Sequence, residues 1–252
     1  MSLSFRQADI LEIAKQEGRV TVDGLAERFQ VTVQTIRRDL AELSEAGKLD
    51  RVHGGAVLRS GVSNIGYEDR RGLNYEAKAR MAERCAADIP EGCSVFMNIG
   101  TSTEAVARQL LNHKNLMVVT NNMNVANILA ENPDCQIVVA GGMLRRSDSG
   151  LVGNLAVSTI RQFKFDHAII GCSALDIDGD LMDFDLQEVL VSQTIIGQAR
   201  KINLVADASK FQRTAPARIA SMADVDTVYT DHPLPGDLPQ KCKDWQTQII
   251  EC

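Results

Sequence analysis

Val31-Thr32-Val33-Gln34-Thr35-Ile36-Arg37-Arg38-Asp39-Leu40 carries two patterns at once. Val33, Ile36, Leu40 and Leu43 recur at spacings of three and four, which places them on one stripe of an α-helix. Gln34, Thr35, Arg37 and Arg38 fall outside that stripe. Thr32 stands just ahead of the run, where its hydroxyl can cap the first turn. A short helix with an apolar back and a Gln/Thr/Arg/Arg front suits the DNA major groove. Arginine bonds guanine O6 and N7, glutamine bonds adenine, and threonine meets a thymine methyl or a phosphate. A solvated amphipathic helix would show the same pattern, so the flanks decide.

Upstream, residues 5–16 predict a helix with Ile10, Leu11, Ile13 and Ala14 inward, stopped by Gly18. Arg19-Val20 reads as a short extended piece. Thr21 can cap a second helix, with Asp23 at the positive end of its dipole and Val22, Leu25, Ala26 and Phe29 inward. Two short helices, a tight turn and an arginine-fronted third make a helix-turn-helix. Gly47 ends the third helix. Residues 48–57 predict a small hairpin, Leu49 and Val52 packed on the helices and Gly54-Gly55 at the bend. Such a wing brings Arg51 and His53 to phosphate or minor groove. The DNA-binding candidates are thus Thr32, Gln34, Thr35, Arg37, Arg38, Arg51 and His53.

The net charge of −6 argues against nucleic acid only until its distribution is read. Residues 1–60 carry nine basic and nine acidic side chains, so the acidity belongs to the rest of the chain. An acidic body repels DNA except where a basic face is presented, which favours specific, salt-sensitive binding by few groups. The six cysteines show no C-x-x-C spacing and the four histidines do not cluster with them. Zinc and a disulfide framework are therefore not expected, nor is any cofactor. The N-terminus has no signal-peptide core, and no run approaches the ~18 apolar residues of a membrane span. A cytoplasmic protein is expected.

At 252 residues the chain has room for a small domain (1–57) and a larger one (76–252), joined by a Gly/Ser/Asn-rich linker over 58–75. In the larger part, apolar runs at 94–99, 116–120, 136–140, 167–171, 202–206, 227–230 and 248–251 read as strands. Helical stretches at 103–111, 123–131, 155–162 and 187–199, and a short piece near 218–223, lie between them. Alternation of this kind predicts a mostly parallel α/β sheet with ligands at the carboxyl ends of its strands. Gly100-Thr101-Ser102-Thr103 opens a helix after the first strand and offers hydroxyl and N–H groups suited to phosphate. Asn121 and Asn122 end the next strand with amides. Gly141 and Gly142 end the third, with Arg145 and Arg146 close behind and Gly153 following. Asp207 and Lys210 end the fifth, and Lys210 can pair with phosphate as a point charge. Four polar loops at strand ends point to one shared pocket.

The stretch 31–40, with Gly47-Lys48-Leu49 and His53-Gly54-Gly55-Ala56, closely resembles the signature of the DeoR family of bacterial repressors. Thr32 stands where a serine is common and keeps the capping hydroxyl. Segments 100–103, 120–122, 141–146 and 207–211 also match family positions, so the resemblance covers essentially the whole chain. It implies an N-terminal winged helix-turn-helix. It also implies a C-terminal effector domain with the fold of ribose-5-phosphate isomerase and coenzyme A transferases, which binds a phosphorylated sugar or polyol. Segments 120–127, 140–146, 183–189 and 228–231 are most similar to the members that govern glycerol-3-phosphate use. On this reading the chain is not an enzyme. It is a homo-oligomer, dimer or tetramer, that binds operator double-stranded DNA and is released by a phosphorylated metabolite, with glycerol-3-phosphate the first candidate. The rival is a sugar-phosphate isomerase with an appended DNA-binding domain, for which Asp183, Asp185 and Glu188 are the proton-shuttle candidates. A redox sensor would rest on Cys93 or Cys172, near which nothing lowers a thiol pKa.

Overall fold

A computed structural model describes residues 4–17, 19–52, 54–58 and 66–252, with backbone alone at Lys15, Gln16, Glu17, Arg19, Val57, Leu58, Asp69 and Gln212. The chain divides between Leu73 and Asn74 into two units.

The first unit runs α1 (Phe5–Glu17), β1 (Arg19–Thr21), α2 (Val22–Phe29), α3 (Val33–Glu45), β2 (Leu49–Val52), β3 (Gly55–Leu58) and α4 (Tyr67–Gly72). Both predicted caps form. Thr21 Oγ1 accepts from Gly24 N and Thr32 Oγ1 from Thr35 N, each at 3.2 Å. Ile10, Ile13 and Ala14 of α1, Val22 and Leu25 of α2, and Ile36, Leu40 and Leu43 of α3 close on Leu49 and Ala56 as one core. Leu11 and Val33 sit at its margin, half-buried. The wing has a third strand: the sheet order is β1-β3-β2, with Thr21 opposite Gly55, so the extended Arg19-Val20 piece is an edge of the wing. The predicted Gly18 stop and His53 contact lie outside the described residues.

Two expectations need correction. The linker predicted over 58–75 is helical over Tyr67–Gly72, where Glu68 and Arg71 stand one turn apart at 3.8 Å, and Asn74 already belongs to the second unit. The helix predicted near 218–223 is a strand, Ala217–Ser221, followed by a 3-10 turn at Met222–Asp224. Its buried Ala217 and Ile219 flank an exposed Arg218, a period of two that pairs with a neighbouring strand.

The second unit runs α5 (Tyr75–Ala87), β4 (Ser94–Met97), α6 (Thr101–Gln109), β5 (Leu116–Thr120), α7 (Met123–Leu129) and β6 (Cys135–Val139). Then come β7 (Met143–Arg145), β8 (Gly150–Val152), α8 (Asn154–Ile160), β9 (Phe165–Ile170), β10 (Ala174–Leu175), β11 (Asp180–Asp183) and α9 (Leu186–Gln198). It closes with β12 (Ala199–Val205), β13 (Ala217–Ser221), β14 (Thr227–Thr230), α10 (Leu238–Trp245) and β15 (Gln248–Glu251). All seven predicted strands join one parallel sheet of order β15-β14-β12-β9-β4-β5-β6. Both its faces are apolar and alternate in register. Phe96, Ala168, Leu204 and Val228 pack with α8, α9 and α10, while Met97, Ile169, Val205 and Tyr229 pack with α5, α6 and α7. That burial on both sides is why the inner strands read as mainly apolar runs. The β7–β8 hairpin and the antiparallel sheet β10-β11-β13 are additions to this frame. From β4 the chain steps out to β5 and β6, then returns to β9 on the other side. The strand order therefore reverses between β4 and β9, the place where such sheets open a crevice at their carboxyl ends.

Candidate functional sites

On α3, the residues outside the buried stripe face solvent. Gln34, Arg37 and Arg38 are exposed and Thr35 is half-buried. Thr32 and Thr35 share a hydroxyl–hydroxyl bond of 2.9 Å beside the cap. Arg51 on β2 donates to the carbonyl of Arg37 at 3.3 Å, which ties the wing to the same end of α3. Asp39, on the flank of the helix, is buried and takes both Arg6 Nε and Arg6 Nη2 from α1. No local pattern signals that pair, since its members lie 33 residues apart.

In the second unit, Asn98 and Gly171 bridge the two central strands. Asn98 Nδ2 donates to the Gly171 carbonyl at 3.2 Å, and Gly171 N donates to Asn98 Oδ1 at 3.0 Å. Gly100 precedes α6, and Thr101, Ser102 and Thr103 form its buried first turn. Thr103 Oγ1 donates to the Asn98 and Gly100 carbonyls, so this hydroxyl fixes the turn itself. Asn122 caps α7, its Oδ1 accepting from Asn124 N and Val125 N, and its Nδ2 reaches Glu104 at 3.3 Å. Asn121 is buried beside it. Its Nδ2 donates to the Leu151 carbonyl at 3.0 Å, while its Oδ1 has no hydrogen-bond partner among the described residues. Gly141 and Gly142 connect β6 to β7, and Gly153 precedes α8 with φ +95 and open space where a Cβ would be.

Arg145 has a different setting from the one expected. Its guanidinium takes both oxygens of Asp148 at 2.9 and 2.7 Å, Asp185 at 2.5 Å, and Glu188. It is a cross-link between the β7–β8 hairpin and the start of α9, and it faces carboxylates where an anion would need a free cation. One cation among three carboxylates leaves surplus negative charge. Burial, and next the nearby Asp183, push Glu188 up to about 7 despite Arg145. The remaining proton-shuttle candidates are also engaged. Asp185 caps α9 through Gln187 N, and Asp183 accepts from Ser173 Oγ and from the N–H groups of Phe184 and Asp185.

Asp207 and Lys210 sit together, buried, at the end of β12. Burial alone would raise the Asp207 carboxyl. Lys210, Ser209, Lys78 and Asn74 outweigh it and hold the group below the usual carboxylate range. Asn74 Nδ2 reaches Asp207 Oδ1 at 2.8 Å, so the first residues of α5 belong to this corner. Burial pushes the Cys172 thiol up to about 12 and Cys93 to about 11, which speaks against a reactive thiolate at either.

Residues 6–61 match the model of the DeoR-like helix-turn-helix domain, and residues 73–232 match that of the DeoR C-terminal sensor domain. This chain belongs to the DeoR family. Over its whole length this DeoR-family chain is 44% identical to the whole of the glycerol-3-phosphate regulon repressor of Escherichia coli (strain K12). It is 40% identical, over 97% of the chain and 94% of the relative, to the HTH-type transcriptional repressor CsqR of the same organism. Among solved structures, a D-ribose-5-phosphate isomerase in complex with phospho-erythronic acid aligns over 54% of each chain at 14% identity and a TM-score of 0.41, a likeness from which no activity follows. Both of these relatives of the DeoR-family chain are repressors, and the family is regulatory. Among the described residues no helix is long and apolar enough to cross a membrane.

Sequence reasoning did not single out Asn98, Gly171, Asn74 or Lys78, which the structure places beside the candidate residues. The first two carry no local sequence signal, because their places at the ends of β4 and β9 matter only once the strand order is known. Asn74 and Lys78 fell in or next to the supposed linker and had none.

Proposed function

We propose that this repressor binds operator DNA as a homo-oligomer through α3 and the β2–β3 wing. A phosphorylated polyol or sugar at the carboxyl ends of the second unit's strands releases it. Glycerol-3-phosphate is the first candidate, in keeping with the relative matched end to end. The observation that carries the reading is the exposed Gln34, Arg37 and Arg38 front on a helix whose back is buried. An oligomer follows from reach, since one short helix reads few bases and two-fold pairing doubles the site. The phosphate is assigned to the Gly100–Ser102 turn and Lys210, and polyol hydroxyls to Asn121 and its neighbours. Arg145 is assigned to scaffolding. The protein acts in the cytoplasm, where its operator is.

Thermal unfolding with a panel of polyol and sugar phosphates tests the effector, because a ligand at a hundred times its Kd stabilises the folded state by about 2.7 kcal/mol. Glycerol-3-phosphate is expected to raise the midpoint and to release operator DNA in a gel shift, and DNA is expected to weaken its binding by the same factor. Lys210→Gln is expected to keep operator binding and lose most of the effector-induced shift. Wild-type release by the effector with full response in Lys210→Gln would remove Lys210 from the site.

A further inference from the structure

The two neighbouring arginines of α3 have unequal surroundings, and the difference assigns their roles. At 100° per residue, Arg38 lies about 200° from the buried Ile36, at the centre of the exposed face, and Arg37 about 100° away, on its flank. Arg38 is held. Its Nε donates to Glu42 Oε1 at 3.0 Å, and Glu42 Oε2 accepts from Gln7 Nε2 at 2.7 Å. Gln7 is itself fixed by the start of α1, where Ser4 N donates to Gln7 Oε1 at 3.1 Å and Gln7 N to Ser4 Oγ at 3.2 Å. Arg38 and, next, Gln7 hold the Glu42 carboxyl below its ordinary range. Thr35 and Arg38 line the same open groove, of about 570 Å³, between α1 and α3. Arg37 lies on the opposite flank of the helix from Asp39, and its backbone carbonyl accepts from Arg51 of the wing at 3.3 Å.

A guanidinium anchored through Nε leaves Nη1 and Nη2 as a two-pronged fork, the geometry that meets guanine O6 and N7. Ordering that long side chain before DNA arrives also lowers the entropy lost on binding. Resting on the DNA-reading function above, we propose that Arg38 reads a guanine in each half-site, that Glu42 and behind it Gln7 are positioning residues for that fork, and that Arg37 holds phosphate. Glu42 acts through Arg38 and touches no base.

Selection from randomised duplexes with the full-length protein gives the preferred site, and binding is then compared on that site and on its single-base substitutions. Arg38→Ala is expected to weaken binding by about 10- to 100-fold per half-site and to flatten the preference at one G·C pair in each. Arg37→Ala is expected to weaken all sequences alike and to lower the salt slope by about one per half-site. Glu42→Gln is expected to reduce the preference at the same pair as Arg38→Ala, with unchanged thermal unfolding, and to add nothing in the Arg38→Ala background. The assignment is overturned if Arg37→Ala flattens a base preference while Arg38→Ala acts uniformly, or if Glu42→Gln keeps the full preference. A wild-type protein that selects no sequence would instead remove the DNA-reading function, and this assignment with it.

Discussion

Arg145→Ala is expected to destabilise the second unit by about 3–5 kcal/mol, read as an earlier urea transition, because it leaves buried carboxylates without their counter-charge. Asp148 is buried and Glu188 nearly so, and both bond to this one guanidinium, as does the half-buried Asp185. The loss should depend on pH. Glu188 sits at about 7 in the folded protein against an ordinary 4.5. Its shift is upward, so whatever stability it supports is complete below the unfolded value. That stability falls as pH rises from about 4.5 through 7, where the folded state retains a proton that the unfolded chain has released. Removing Arg145 takes away a charge that favoured the ionised form, so Glu188 in the variant stays protonated to a still higher pH. The variant's deficit is therefore expected to be smaller at pH 5.5 than at pH 8. Arg145→Lys is expected to recover only part of the stability, since an ammonium is a point charge and cannot serve three carboxylates as a fork. If Arg145 served an effector phosphate instead, Arg145→Ala would leave the urea transition in place and abolish the effector-induced shift.

The contacts of Arg145 with α9 are invisible in the sequence for a plain reason. Its partners Asp185 and Glu188 lie 40 and 43 residues away, on a helix whose docking beside the β7–β8 hairpin no local pattern encodes. What was legible was local or periodic. The stripe Ile36, Leu40, Leu43 and the caps Thr21 and Thr32 depend on residues within a few positions of each other. The parallel strands were legible because the inner ones, β4, β5, β9, β12 and β14, are buried on both faces over most of their length, while β6 and β15 at the edges still carry short apolar runs. The sheet β10-β11-β13 was not, because β10 has two residues and β13 is too short for its alternation to be told from a helical turn. Of the proposed site, Gly100–Thr103 stands out in the sequence by its hydroxyls after a strand. The bond from Asn74 to Asp207 spans 133 residues and appears only in the fold.

Gly55→Ala is expected to unfold the first unit's wing and abolish operator binding while the second unit keeps its effector response. A Cβ at Gly55 would lie 1.9 Å from the Val20 carbonyl oxygen and 3.0 Å from the Thr21 Cα. Backbone cannot step aside as a flexible side chain can, so β1 must leave β3. Thr21 stands opposite Gly55 in that pairing and also caps α2, and Val22 N donates to the Gly54 carbonyl at 2.8 Å. The collision therefore reaches from the wing to the start of the helix-turn-helix. Overpacking costs about 1–3 kcal/mol where neighbours can repack. Here the neighbour is a strand, and the expected cost is at the top of that range or beyond it. Gly54→Ala supplies the contrast. Its φ of +75 strains an L-residue, but a Cβ there meets nothing within 4 Å. That variant is expected to lose only about 1–2 kcal/mol, from the left-handed backbone, and to keep operator binding. Circular dichroism melts and gel shifts on the two variants separate collision from strain. Equal loss in both would mean that the turn's conformation, and not the close approach of β1 to β3, is what this glycine pair secures.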